Sequence, residues 1–296
     1  YIDRHIEKIL SLPLIDAERI KSQGFHVVID AVNSTGGIAI PKLLDRLGVS
    51  YKAMYCEPTG NFPHNPEPLE KHLGDLMRSV QEEKAFFGIT VDPDVDRLAL
   101  VDENGKMFGE EYTLVACADY VLSKTPGNTV SNLSSTRALK EVTLNYHQEY
   151  EAAAVGEVNV VQKMKSTQAI IGGEGNGGII YPENHYGRDA LVGIALFLML
   201  LTERQQTVSA LRASYPVYFM AKEKIELSAS INPDQILKKL AVKYADEQCT
   251  TIDGLKIDFD ESWVHMRKSN TEPIIRIYTE AKTEALAQDL AKKFIE

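Results

Sequence analysis

The sequence predicts an α/β protein: two consecutive α/β domains with mixed sheets between helices, followed by a small α+β domain. Three observations carry that expectation. Short apolar runs such as Phe25–Asp30, Val49–Tyr55, Phe86–Val91 and Ala169–Gly172 alternate with helical patterns such as Ile38–Leu47, Glu70–Glu83 and Val158–Lys165, which is how strand–helix–strand units read. At 296 residues the chain is long for one core, since single cores stop growing at roughly 250–300 residues. Beyond Pro216 the pattern changes to strands with one-sided alternation and two helices, as in an antiparallel sheet covered on one face.

Four segments follow. Residues 1–12 contain a polar helix, Tyr1–Ser11, that begins without Met and is expected to be the remnant linker of a preceding first domain. Residues 13–109 form the first α/β domain. Ile15–Ser22 is helical, Phe25–Asp30 a strand, and Ile38–Leu47 an amphipathic helix ended by Gly48. The turn between them, Asn33–Gly37, could present a helix N-terminus to an anion. A tight, capped strand-to-helix turn is the favoured reading. Val49–Tyr55 and Phe86–Val91 are strands, with Glu70–Glu83 a helix between them.

Residues 110–215 form the second α/β domain. Its helices are Glu111–Leu122, expected to be amphipathic, Ser135–Asn145, Val158–Lys165 and Asp189–Leu201. Its extended segments are Thr129–Leu133, Glu149–Val155, Ala169–Gly172 and Ile179–Pro182. Residues 216–296 form the α+β domain, with strands Tyr218–Leu227, Gly254–Phe259, Trp263–Arg267 and Ile274–Tyr278 and a closing helix Lys282–Ile295.

Composition narrows the partners. A formal net charge of −10 argues against nucleic acid or an anionic membrane, so an anionic ligand needs locally gathered Arg and Lys. Cys56, Cys117 and Cys249 are odd in number and form no CxxC pair, which fits inert buried thiols in a reducing cytoplasm. The longest apolar run, Ala190–Leu201, is too short to span a bilayer and reads as a core helix.

Three loops carry chemistry. The first is Asp92-Pro93-Asp94-Val95-Asp96-Arg97, set between two apolar strands. Three carboxylates in so few atoms repel one another and need a cation, and hard oxygen ligands suit Mg²⁺. An arginine beside such a metal points to phosphate. An EF-hand would also place Asp92, Asp94, Asp96 and Glu103 as ligands, but it requires Gly where Arg97 stands, and helices rather than strands on either side. A haloacid-dehalogenase-type phosphatase requires Thr or Val where Asp96 stands.

The second is Gly173-Glu174-Gly175-Asn176-Gly177-Gly178. It satisfies GxGxxG but continues into a strand, Ile179–Tyr181, so it is not a dinucleotide fingerprint, which must open a helix. A glycine-rich hairpin turn and a loop presenting Glu174 and Asn176 to vicinal hydroxyls both remain open. The third is Arg267-Lys268-Ser269-Asn270-Thr271-Glu272-Pro273-Ile274-Ile275-Arg276. Two arginines, two hydroxyls, an amide and a turn full of N–H groups between two strands suit a dianionic phosphate.

In this order the loops resemble the α-D-phosphohexomutase superfamily, over essentially the whole chain. Asp92–Arg97 is similar to the family's DGDGDR metal loop, with Pro93 and Val95 in place of glycines. Gly173–Gly178 resembles its GE-x-S-G sugar loop, with Asn176 in place of Ser and Gly178 where many members have His. Arg267–Arg276 resembles its RxSNTEPxxR phosphate loop, which is long and specific.

The resemblance implies domains two to four of a four-domain enzyme. The first domain would carry a phosphoserine, because Phe62-Pro63-His64-Asn65-Pro66 looks similar to the phosphoserine loop but holds no serine. Implied further are Mg²⁺ on Asp92, Asp94 and Asp96, and Arg97 positioning the transferring group. Glu174 and Asn176 would grip sugar hydroxyls of a hexose phosphate, while Arg267, Ser269, Asn270, Thr271 and Arg276 hold the non-reacting phosphate. Two alternatives stand beside the mutase: a metal-dependent phosphosugar phosphatase with Asp92 as nucleophile, and a non-catalytic phosphosugar-binding module. Neither the hexose nor the oligomeric state is specified.

Overall fold

The computed structural model describes residues 1–226, 232–269 and 272–295. Helix α1 (Ile2–Leu10) places Ile2, Ile6 and Ile9 on one stripe and buries Ile6 and Ile9, as apolar residues at i, i+4 and i+7 require. Helix α2 (Ala17–Lys21) is capped by the Asp16 carboxylate, which accepts from Arg19 N at 3.0 Å. Strand β1 (His26–Asp30) leads into α3 (Gly36–Leu47), which ends on Gly48 in the left-handed conformation. Strand β2 (Ser50–Met54), a 3₁₀ turn, α4 (Gly74–Glu82), β3 (Phe87–Val91) and β4 (Leu98–Asp102) complete the unit.

Its sheet has the order β2-β1-β3-β4, parallel except for the β3–β4 hairpin. Strand β3 is buried throughout, which explains its unbroken apolar reading. The Asn33–Gly37 turn is the tight connection: a Cβ on Gly37 would lie 2.1 Å from the Cys56 carbonyl oxygen.

The second unit repeats that topology. Helix α5 (Glu110–Lys124), β5 (Thr129–Asn132), α6 (Ala138–Asn145), β6 (Tyr150–Ala153), α7 (Glu157–Thr167), β7 (Ile171–Glu174) and β8 (Gly178–Ile180) give a sheet β6-β5-β7-β8, again parallel except for its last hairpin. Two expectations change here. Helix α5 is not amphipathic, because Tyr112–Leu122 is buried all round. Helix α6 starts at Ala138 rather than Ser135, because Asn132 Oδ1 draws Ser134 N (2.9 Å) and Ser135 Oγ (3.1 Å) into a turn first.

Helices α8 (Ala190–Arg204) and α9 (Val208–Ser214) follow. Ala190–Thr202 is buried on every side, between α5, α1, α2 and the first unit. Each Leu or Phe so placed contributes about 1.5–3 kcal/mol. Among the described residues, no single helix is long and apolar enough to cross a membrane.

The last unit holds β9 (Phe219–Glu226), α10 (Pro233–Lys243), β10 (Gln248–Thr250), β11 (Leu255–Asp258), β12 (Trp263–Lys268), β13 (Ile274–Ala281) and α11 (Glu284–Ile295). Its antiparallel sheet has the order β10-β11-β12-β13-β9. Val264, Met266, Ile275 and Ile277 share a core with Leu237 of α10 and Phe294 of α11. Side chains alternate across a strand, so Trp263, His265, Arg267, Glu280, Tyr278 and Arg276 take the opposite face.

That opposite face meets the second unit. Arg137, at the start of α6, donates to the carbonyls of Phe259 (3.1 Å), Asp260 (2.8 Å) and Ser262 (3.0 Å). Its backbone N–H donates to buried Glu280 at 3.0 Å. Ser134 Oγ lies 2.8 Å from His265 Nδ1, and Val155 N donates to Asp253 at 3.0 Å.

Candidate active site

The first two loops occupy equivalent places in the repeated units. Asp92–Arg97 is the turn of hairpin β3–β4, and Gly175–Gly177 is the turn of hairpin β7–β8. Both follow the carboxyl end of a parallel strand, where open α/β sheets gather their ligands. The backbone joins the turns directly: Leu98 N donates to Gly177 O at 3.0 Å, beside a bridge between Arg97 and Gly178. So close an approach leaves no room for side chains. A Cβ on Gly177 would lie 2.3 Å from Leu98 O, and one on Gly175 1.9 Å from Glu111 Oε2.

In the aspartate turn, one carboxylate oxygen from each of Asp92, Asp94 and Asp96 lies within 4.8 Å of the others. Asp92 is 1% exposed. Its Oδ1 accepts from Asp96 N and Arg97 N, both at 3.1 Å, and its Oδ2 from Arg97 Nε. Burial works to raise the Asp92 carboxyl, but the guanidinium, backbone N–H and charge of Arg97 hold it below the usual carboxylate range. Burial, then the neighbouring Asp92 charge, pushes Asp96 up to about 6. Asp96 Oδ1 is buried with no hydrogen bond among the described residues, Arg97 Nε approaching it at 3.8 Å. An all-oxygen donor set containing one orphaned acceptor fits a hard divalent cation. Val95, a β-branched residue, is held at φ +63° in this turn, strain of the kind that concentrates at functional sites.

The glycine turn leaves Glu174 less free than the sequence suggests. Glu174 ends β7 and is 5% exposed. Oε1 accepts from Asn132 Nδ2 (2.8 Å) and Gly156 N (3.1 Å), and Oε2 from Arg188 Nη1 (2.9 Å). Asn176 Oδ1 accepts from Gly178 N at 3.2 Å, which shapes the turn.

Arg188 is the residue that sequence reasoning missed. Its guanidinium bridges the two turns, pairing with Asp96 Oδ2, with Glu174 Oε2 at 2.9 Å and with Glu157 Oε2 at 3.3 Å. It stands alone in Tyr186-Gly187-Arg188-Asp189, with no motif to mark it.

The third loop lies between β12 and β13. Arg267 and Arg276 are directly opposed in the antiparallel register, and Arg276 is opposed in turn by Lys224 of β9. Like charges placed opposite one another destabilise a sheet, so the row calls for an anion. Among the described residues, Arg267 Nε is buried without a hydrogen-bond partner, and Arg276 reaches Glu272 alone, at 3.5 Å. Ser269 is buried, with its N–H on Ile274 O at 3.0 Å. Asn270 and Thr271 lie outside the described residues. The lysines of β9 were legible only as alternation, not as part of a site.

These pieces converge on one cleft of about 380 Å³, whose walls include Arg97, Glu174, Asn176, Lys222, Arg267 and Arg276. Four cations line it together with the carboxylates of Glu67, Glu110, Glu111 and Glu174, and Lys222 pairs with Glu110 at 2.7 Å. The aspartates are not in its wall; they sit behind Arg97 and Arg188. Glu111 also faces it, accepting from Thr136 N at 2.9 Å, and burial pushes this carboxyl up to about 8. Asp92 is a poor nucleophile here, since both its oxygens are engaged and it is almost wholly buried.

Family models of phosphoglucomutase/phosphomannomutase match in series: alpha/beta/alpha domain II over residues 3–105, alpha/beta/alpha domain III over 109–218, and the C-terminal domain over 220–296. The chain belongs to the phosphoglucomutase/phosphomannomutase family. It is 32% identical over 295 residues to a probable phosphoglucosamine mutase of Methanopyrus kandleri, covering 99% of this chain and 64% of that protein. It is 33% identical over 279 residues to a phosphoglucomutase/phosphomannomutase of Thermococcus kodakarensis, covering 93% and 61%. The crystal structure of a family protein from Burkholderia thailandensis superposes with a TM-score of 0.82 at 27% identity, covering 94% of this chain and 62% of that one. The chain therefore spans a little under two thirds of the length of these family members. Its three domains are consecutive, as the repeated sheets and the terminal α+β unit display.

Proposed function

We propose that the chain forms the metal-, sugar- and phosphate-binding part of a phosphohexomutase, which interconverts hexose 1- and 6-phosphates through a phosphoserine and a bisphosphate intermediate. The observation that carries this reading is the single cleft in which Arg97, Glu174 and the opposed pair Arg267/Arg276 meet. Arg267 and Arg276 clamp the phosphate that does not react, with charge-assisted bonds that two opposed guanidinium groups can make together. Ser269, Asn270 and Thr271 complete that clamp. Asn176, and Glu174 once released from Arg188, bond sugar hydroxyls in either orientation of the bisphosphate. Arg97, fixed by Asp92, positions the transferring phosphoryl group.

Asp92, Asp94 and Asp96 would hold Mg²⁺. When bound, the ion neutralises charge on the transferring phosphoryl group. The phosphoryl donor of this reading is a phosphoserine on another domain of the same protein, since Phe62–Pro66 has no serine.

The test is the full-length protein with Mg²⁺, assayed on glucosamine, glucose and mannose phosphates. Glucosamine phosphate comes first because of the name the Methanopyrus relative bears. Turnover between the 1- and 6-phosphates is expected; none on any of the three overturns the reading. Residues 1–296 alone are expected to bind hexose 6-phosphate weakly and to show no mutase turnover. Asp94→Asn, at an exposed ligand, is expected to weaken Mg²⁺ binding in calorimetry at least tenfold while leaving the melting temperature within about 2 °C, since exposed substitutions change stability by about 0.5 kcal/mol or less.

A further inference from the structure

A second cluster of ligand-type side chains lies away from the cleft, where α1 meets the start of α8. His5 Nε2 lies 2.8 Å and His185 Nε2 3.1 Å from the same oxygen, Asp189 Oδ2. Asn184 Nδ2 lies 2.7 Å from it as well. Three side-chain nitrogens crowd one carboxylate oxygen, while Asn184 Oδ1, in a residue 3% exposed, has no hydrogen-bond donor among the described residues. Both faults have one remedy, a cation among these atoms. It replaces the crowded protons on the imidazoles, and a half-turn of the Asn184 amide brings its orphaned oxygen inward.

We propose that His5, His185 and Asp189 form a structural site for a borderline transition-metal ion, Zn²⁺ by preference, that staples α1 to the N-terminus of α8. Two neutral imidazoles and one carboxylate make the donor set that such ions take in tetrahedral geometry, whereas Mg²⁺ prefers all-oxygen sets. One ligand atom from each of the three residues lies within 4.8 Å of the others. The imidazole centroids are 5.6 Å apart at an interplanar angle of 42°. Two rings on one tetrahedral ion at about 2.0 Å stand roughly 5 Å apart, so the pocket needs only sub-ångström adjustment.

The carboxylate is already fixed: Asp189 Oδ1 accepts from Leu191 N (2.9 Å) and Val192 N (3.2 Å) as the cap of α8. The ion has an entry path, since the His5 and His185 side chains are 30% and 41% exposed. The fourth position goes to the Asn184 amide oxygen or to water. Lys8, which bonds the Asn184 carbonyl, adds a nearby positive charge and sets a modest affinity.

The experiment is a Co²⁺ titration of the chelator-stripped chain in excess Mg²⁺, which occupies the aspartate turn. One equivalent of Co²⁺ is expected, with the intense visible absorption of tetrahedral cobalt, displacement by Zn²⁺ and a rise in melting temperature. All three are expected to vanish in His5→Gln and in His185→Gln and to persist in Asp94→Asn. Failure of the parent chain to bind Co²⁺ under Mg²⁺ overturns the proposal. So does binding that survives both histidine substitutions or disappears with Asp94→Asn. Circular dichroism checks folding, and if one histidine variant fails to fold, the other decides.

Discussion

Arg188 shows how much one side chain can hold together. It neutralises Asp96 and Glu174, which belong to different units and sit on different turns. Removing one partner of a buried ion pair leaves the others uncompensated, at a cost of about 3–5 kcal/mol. Arg188→Met is therefore expected to lower unfolding stability by about 3 kcal/mol in urea, at the lower end because Arg188 retains some exposure. Mg²⁺ should restore part of that loss, read as a larger Mg²⁺-induced rise in melting temperature than in the parent chain. An equal rise in both proteins would show that Arg188 and the metal do not share Asp96.

Among the elements, the sheet of the last unit and the first turn of α5 make separate predictions. The row Lys224–Arg276–Arg267 is set by antiparallel register, and each charge-assisted bond to a phosphate is worth about 1.5–3 kcal/mol. Arg276→Ala is expected to weaken binding of hexose 6-phosphate about 10- to 100-fold in calorimetry, with the fold intact by circular dichroism. Binding within twofold of the parent would remove this row from the site.

Glu111 lies in the first turn of α5, and burial raises its carboxyl from 4.5 to about 8. A carboxyl raised on folding binds its proton more tightly in the native state. Its contribution is present below the unfolded value and is lost as pH rises from about 5 to about 8. Stability should fall across that window, and Glu111→Gln should flatten the slope of urea midpoint against pH. An unchanged slope would contradict this assignment.

For the molecule as a whole, the cleft depends on how the last unit sits on the second. Arg137 plugs three carbonyls of the Phe259–Ser262 turn, and Tyr218 OH bonds Glu141 while Lys282 donates to Tyr218 OH at 2.8 Å. Arg137→Ala is expected to cost about 3 kcal/mol, from lost bonds to a charged donor and from carbonyls left without one. It should split unfolding into two transitions, the last unit melting first, with faster proteolysis between residues 215 and 219 where the units join. A single transition would mean that the two units share more than this contact.

The elements that were legible are those whose neighbours impose a period. Strand β3 is buried on both faces and so reads as a continuous apolar run; β12 and β13 are also largely buried on both faces, but they alternate because one face packs on an apolar core and the other puts His265, Arg267, Arg276 and Glu280 toward the second unit and the cleft. Helix α5 was misread because a helix buried all round keeps Thr113 and Asp119 among its apolar residues, and those polar positions imitate a wet face. Strand β10 and helix α9 are too short to show a period. The start of α6 was missed because Asn132 competes for the backbone through its side chain.

At the site, the order of residues along the chain shows which groups are available: three carboxylates in one turn, a glycine run that permits two backbones to touch, and two arginines flanking a polar loop. Chain-local chemistry suffices for that, since charge repulsion and the absence of Cβ atoms act between near neighbours. How those groups meet depends on folding. Glu174 is committed to Asn132, Gly156 and Arg188, Arg188 ties the aspartate turn to the glycine turn, and His5 meets His185 and Asp189 across the molecule. These pairings join residues far apart in the chain, and no period or motif encodes them. They follow from two repeated sheets packed around α8, which sets the first two loops against each other, and from the last unit seated on the second through Arg137.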